Sequence, residues 1–110
     1  MKDLKYLQLW DCYGALLTDT QRELCELYYM CDLSLAEIAE QKGTSRQSVS
    51  ETLKKSRELL DEYEAKLGFA KRMKTLIEAL ALLKDAHPEL SMELEERLGS
   101  VFAAEGEEER

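Results

Sequence analysis

Apolar positions recur along this chain at alternating spacings of four and three residues, and that period predicts helices almost throughout. Tyr6, Trp10 and Tyr13 stand at i, i+4, i+7 beside Leu7, which predicts a first helix over 4–13 that Gly14 ends. An aromatic stripe at that spacing reads as core rather than as a stacking platform for bases. Thr18 and Gln21 form T-x-x-Q, a capping box that opens a second helix with Leu24, Leu27, Tyr28 and Cys31 as its inward face. Asp32-Leu33 interrupts the run, and Ser34 with Glu37 makes a second capping box. Two such boxes, each ahead of an apolar period, mark two helix starts.

The stretch 34–55, SLAEIAEQKGTSRQSVSETLKK, then reads as a helix-turn-helix. Leu35, Ile38 and Ala39 face inward from its first helix, Gly43 suits a turn of positive φ, and Val49 and Leu53 face inward from the second. Thr44 and Ser45 are both candidate caps for that second helix. Its apolar seam continues far beyond the motif, through Val49, Leu53, Ser56, Leu60, Tyr63 and Leu67. Gly68 is a candidate C-terminal cap, with a helix continuing through it as the alternative. Phe69, Met73, Leu76, Leu80 and Leu83 repeat the spacing, widened by Ile77. Two such seams pair either as an antiparallel hairpin or between protomers, so a homodimer is expected. Pro88 fits the first position of a last helix that uses Leu90, Leu94 and Leu98, with Val101 and Phe102 extending it. The expected architecture is all-α: a helix-turn-helix domain over 1–67, a C-terminal helical segment over 68–103 suited to dimerisation, and a disordered acidic tail over 104–110.

Composition narrows the class. One Pro, five Gly and 45% hydrophobic residues in 110 suit a packed helical domain. No apolar run reaches the length of a membrane span and no leader pattern opens the chain, so a cytoplasmic protein without membrane contact is expected. Cys12, Cys25 and Cys31 lack C-x-x-C spacing and His87 is the only histidine; reduced, buried thiols are expected, with neither a metal nor another cofactor.

The net charge of −8 would argue against nucleic acid were it evenly spread. Residues 85–110 carry nine acids against Arg97 and Arg110, whereas over residues 42–57 Lys42, Arg46, Lys54, Lys55 and Arg57 face only Glu51. The motif is therefore basic and the acidity belongs to the tail, a candidate competitor for the same patch.

With Val49 inward, Gln47, Glu51, Lys54 and Glu58 point outward, flanked by Ser50 and Lys55. Such a face suits a groove: Arg46 and Gln47 as base readers, Ser50 at a base edge or phosphate, and Lys42, Lys54, Lys55 and Arg57 on phosphates, with Ser45 on the helix N-terminus beside them. Glu51 opposes that use, and Glu58, Asp61 and Glu62 cut the basic stretch short. About four phosphate contacts per protomer bind a duplex weakly unless a dimer doubles them. Neither a phosphate-cradling glycine loop nor a paired-carboxylate motif is present, so an enzyme is not expected.

Leu17–Leu60 resembles region 4 of bacterial sigma factors. With DCYGALLT, ELYYMCDLSLAEIAE, SRQSV and LLDEYEAKLG, the chain over about residues 1–70 is similar to the YlxM family of small sigma-region-4-like proteins. That resemblance implies an all-α, non-enzymatic, bacterial cytoplasmic protein with a regulatory role in the signal recognition particle pathway. The partners it implies are the particle's GTPase and its small RNA. Family members commonly carry AVYDN where this chain has SVSET, so stacking contacts are not carried over to Ser50, while Arg46, Gln47, Lys54 and Lys55 match the pattern. The alternative is a dimeric, duplex-DNA-binding transcription regulator, followed by a helical domain that binds protein alone.

Overall fold

A computed structural model describes residues 2–99. Among them are six α-helices and no strand: α1 Leu4–Tyr13, α2 Asp19–Cys25, α3 Leu35–Lys42, α4 Arg46–Leu67, α5 Phe69–Ala86 and α6 Ser91–Arg97. The chain divides into two compact units, Met1–Ala70 and Lys71–Arg110. The expected positions of Val101, Phe102 and the 104–110 tail lie outside the described residues.

In the first unit the inward stripes of α1 to α4 close on one another. Leu9, Tyr13, Leu17, Leu24, Cys25, Ile38, Ala39, Val49, Leu53 and Leu60 form the buried core, and Tyr6, Trp10, Leu27, Tyr28, Leu35 and Tyr63 pack around it. The aromatic stripe of α1 is thus core and its rim, as its spacing predicts. Ser56 is also fully buried, yet its hydroxyl donates to the Thr52 carbonyl 2.8 Å away, so a polar residue keeps its place in the α4 seam.

Both capping boxes are present. The Thr18 hydroxyl accepts from the Gln21 amide at 3.1 Å and Gln21 Oε1 accepts from the Thr18 amide at 3.0 Å. Ser34 and Glu37 exchange the same pair of bonds at 3.1 and 2.8 Å. Gly14 acts differently from a positive-φ stop. Its φ is −56°, a short 3-10 turn over Gly14–Leu16 follows, and a Cβ there would meet the Trp10 indole at 3.3 Å. It is the close approach of a ring, not a left-handed turn, that calls for glycine at 14.

Between α2 and α3 the backbone widens into a π-helical turn, Glu26–Met30, with Cys31 N–H donating to the Glu26 carbonyl at 3.0 Å. Asp32 then takes a left-handed φ of +59°. Lys2 secures this corner: its Nζ donates to the carbonyls of Tyr28 and Leu33 and lies 3.3 Å from Asp32 Oδ1. The widened turn rotates Cys31 outward, so Cys31 is exposed rather than on the inner face, and so is Cys12; only Cys25 is buried.

Gly68 ends α4 in the left-handed region at φ +66°, donating its N–H to the Glu64 carbonyl at 2.8 Å, and α5 starts at once. In the second unit a 3-10 turn, Pro88–Leu90, precedes α6, and Lys84 Nζ pairs with Glu95 Oε2 at 2.6 Å. No helix among the described residues is long and apolar enough to cross a membrane.

Candidate nucleic-acid interface

The motif's geometry begins with its turn. Gly43 sits at φ +68°; its amide reaches back to Glu40 O at 3.4 Å and the Thr44 amide to Ala39 O at 3.0 Å, a Schellman closure of α3. Ser45 rather than Thr44 then caps α4, its hydroxyl accepting from the Ser48 amide at 3.0 Å. Ile38 of α3 and Val49 and Leu53 of α4 are wholly buried where the two helices cross. The crossing holds α4 with one face in the core and its opposite face in solvent.

On that outer face Arg46, Gln47, Ser50, Glu51, Lys54 and Lys55 are all exposed, as the period of α4 predicts. Gln47 Nε2 donates to Glu51 Oε2 at 3.2 Å, so the amide that would read a base edge is oriented by the acid one turn on. Two of the five cations have other engagements. Lys42 Nζ lies 2.7 Å from Glu23 Oε2, tying the end of α3 to α2. Arg57 is half-buried, donates to the Tyr29 hydroxyl at 3.3 Å and lies 6.0 Å from the Tyr6 ring. Arg46, Lys54 and Lys55 remain the exposed cations of the open face.

Beside Arg57 lies a cluster of which the spacing of apolar residues names Tyr6 and Tyr28 but not Tyr29. Tyr28 and Tyr29 meet edge to face at 4.9 Å, Tyr29 lies 6.3 Å from Tyr6, and Lys2 sits 3.9 Å above the Tyr28 ring. Burial raises the Tyr29 phenol above its ordinary pKa while Arg57 draws it down. Tyr6 donates to Asp61 Oδ2 at 2.8 Å, a bond that raises its own phenol, and Lys5 lies 3.3 Å from Asp61 Oδ1. Asp61, read from sequence as one of the acids that limit the patch, thereby also fastens α1 to α4. The available signal was the Tyr28-Tyr29 doublet itself. Adjacent residues lie about 100° apart on an α-helix, so a doublet at the edge of an inward face can set both rings against the same body.

Among the described residues no three His, Cys, Asp or Glu side chains group as a metal site. The arrangement is a scaffolded helix face of mixed charge, suited to surface recognition.

Comparison with known proteins agrees with this architecture. The profile of a family described as "Putative helix-turn-helix protein, YlxM / p13 like", UPF0122, matches residues 1–98. The UPF0122 protein of Thermoanaerobacter sp. (strain X514) is 49% identical over 76 residues, which is 69% of this chain and 65% of that relative's length. The matched stretch thus spans just under two thirds of that relative. The UPF0122 protein of Desulforamulus reducens is 47% identical over 88 residues, 76% of this chain and 75% of the relative. That of Symbiobacterium thermophilum is 40% identical over 106 residues, 96% of this chain and 99% of the relative.

Proposed function

The chain belongs to the UPF0122 family of helix-turn-helix proteins, and from that premise we propose that it is a regulatory binding protein of the signal recognition particle pathway rather than an enzyme. It would act in the bacterial cytoplasm by contact with the particle's GTPase, its small RNA, or both. The pathway assignment rests on the resemblance to YlxM proteins. What the geometry adds is a preference among ligands. The outer face of α4 exposes Arg46, Lys54 and Lys55, with Glu51 in its middle and Gln47 held by that acid.

Three exposed cations offer a duplex about three phosphate contacts, a footprint that gives weak and strongly salt-dependent binding. A mixed face of this kind suits a folded RNA or a protein surface, where shape and hydrogen bonds contribute more than a row of phosphates. That single observation favours the adaptor reading over promoter recognition.

The test is capture from bacterial cytosol with and without ribonuclease, followed by GTP turnover of the captured GTPase with and without the added chain. Co-purification of the GTPase or the RNA, with altered turnover, supports the reading; absence of both removes it. The second reading, a dimeric duplex-DNA regulator, draws on Arg46 and Gln47 standing in the first turn of a Ser45-capped helix, where recognition helices meet base edges. It requires tight selection of particular duplexes, about 10⁻⁸ M or better at physiological salt, and uniform weak binding excludes it.

A further inference from the structure

We propose that α5 is a self-association face, along which the α5 helices of two copies of this chain pair antiparallel. The proposal goes beyond the ligand reading and does not depend on it. Helix α5 contributes no buried residue, and its seam is open: Phe69 is 53% exposed, Met73 41%, Leu76 48% and Leu83 39%. Leu80 and Ile77 lie half-buried in the same stripe. By comparison the α4 seam, with the same spacing, is closed over Val49, Leu53, Ser56 and Leu60. An amphipathic helix of 18 residues that leaves much of its apolar stripe in water is the exception among helices that carry this pattern.

Charge identifies the occupant and its direction. Residues 69–77 carry Lys71, Arg72 and Lys74 and no acid, whereas residues 84–97 carry Asp85 and four glutamates against Lys84 and Arg97. Within α5 itself the first half is therefore +3 and the second half, with Glu78, Lys84 and Asp85, is −1; the remaining acids stand on the following turn and α6, which Lys84 ties to α5 through Glu95. A second copy laid antiparallel places each basic end beside the partner's acidic end; a parallel copy sets like against like at both ends. The seam accommodates this pairing. Sliding the helices by one residue from full overlap sets Met73 opposite Leu83 and Leu76 opposite Leu80 of the other copy, with Ala79 and Ile77 on the flanks and most charged side chains outside. Two helices about 27 Å long bury somewhat less than the roughly 800 Å² per partner of a standard complex, so association in the micromolar range follows.

Sedimentation of the full chain across a concentration series tests this. The weight-average mass should climb from 12.7 kDa towards twice that value, and added salt should shift the midpoint to higher concentration. Leu76→Asp should move the midpoint by at least about tenfold while thermal unfolding of the first unit stays put, because α5 gives that core no buried residue. Direction is read by cross-linking. In a background with the exposed Cys12 and Cys31 changed to Ser, a Met73→Cys chain should join a Leu83→Cys chain by disulfide, and neither should join itself. A monomer at every concentration, self-joining of either chain through its introduced cysteine, or association that strengthens with salt overturns the proposal.

Discussion

The phenol of Tyr13 donates to Glu64 Oε1, and through that bond the last helix turn of α4 is fastened to the end of α1. The same two residues cap the start of α5. Phe69 N–H donates to the Tyr13 oxygen at 2.9 Å, and Ala70 N–H donates to Glu64 Oε1 at 3.1 Å. Orphan amides of a helix start are thus satisfied by one side chain from far back in the chain and one from the preceding helix. Replacing Glu64 by Ala leaves the buried phenol without its acceptor. A loss of about 1–3 kcal/mol is expected in urea unfolding, with Glu64→Gln losing less because it still accepts.

Alkaline stability tests the same bond. Burial first, and then the bond to Glu64, raise the Tyr13 phenol above its ordinary value. A group whose pKa is raised in the folded state contributes stability that is complete below the ordinary value and is lost as pH climbs through the raised one. Unfolding midpoints should therefore fall above about pH 10, the tyrosine reference value. Tyr13→Phe should flatten that fall, whereas a Tyr13→Phe chain with an unaltered alkaline limb would assign it elsewhere, to Tyr6 on Asp61 first.

The Ser34–Glu37 box governs the entry to the motif. Ser34→Ala should cost about 1 kcal/mol, the usual worth of a serine cap. Glu37 is held below its ordinary carboxylate range by the Ser34 amide. Its contribution is present above that ordinary range and is lost as pH falls through the lowered value. Glu37→Gln keeps the acceptor without the charge and should remove that acid-side component, as read from unfolding midpoints between neutral pH and pH about 3.

Gly43 offers a clean separation of strain from crowding. A Cβ at 43 meets nothing within 4 Å, so any loss in Gly43→Ala comes from φ +68° alone. About 1 kcal/mol is expected, with Gly43→Asn losing less because asparagine tolerates the left-handed region. Equal losses for both variants in thermal unfolding would contradict that account. Gly14→Ala is the converse: its backbone is unstrained and the added methyl lies 3.3 Å from the Trp10 indole, so its effect on unfolding reads how far that ring and its bond to the Arg22 carbonyl can give.

For the interface, Lys54→Ala with Lys55→Ala should weaken binding to the captured RNA and reduce the salt slope by roughly 0.7 for each phosphate that no longer meets a lysine. Arg57→Ala should instead lower the unfolding midpoint, since its guanidinium supports Tyr29. An Arg57→Ala chain with unchanged stability and abolished RNA binding would return that arginine to the interface.

Helix boundaries were legible because caps and seams are local. Thr18-Gln21, Ser34-Glu37, Gly43 and the alternation from Val49 to Leu60 each state their structure within a few residues. Long-range engagements were not. Lys42 on Glu23 and Arg57 on Tyr29 both depend on which helices cross, so these cations, counted from sequence with the basic patch, turn out to brace the fold as well. The choice between Thr44 and Ser45 turned on backbone geometry that either hydroxyl could have served. Whether α4 continued through Gly68 was likewise a matter of one φ. Cys12 was placed inward only because thiols are usually buried, and Cys31 because nothing in a four-and-three spacing registers a turn that holds one residue more than an α-helix would.

That extra residue in Glu26–Met30 has a bearing on descent. A π-helical turn is what remains when an α-helix takes up a single inserted residue without unravelling. Removing one residue from this turn would let it close with ordinary α-helical bonds, but everything after it would swing by about 100°, carrying Ser34 and the motif with it. Length changes here are therefore invisible to hydrogen bonding and drastic for direction. Among relatives, a gap within this turn should be matched by a compensating change before Ser34, and alignments that scatter gaps elsewhere in α2 would misassign Tyr28 and Tyr29.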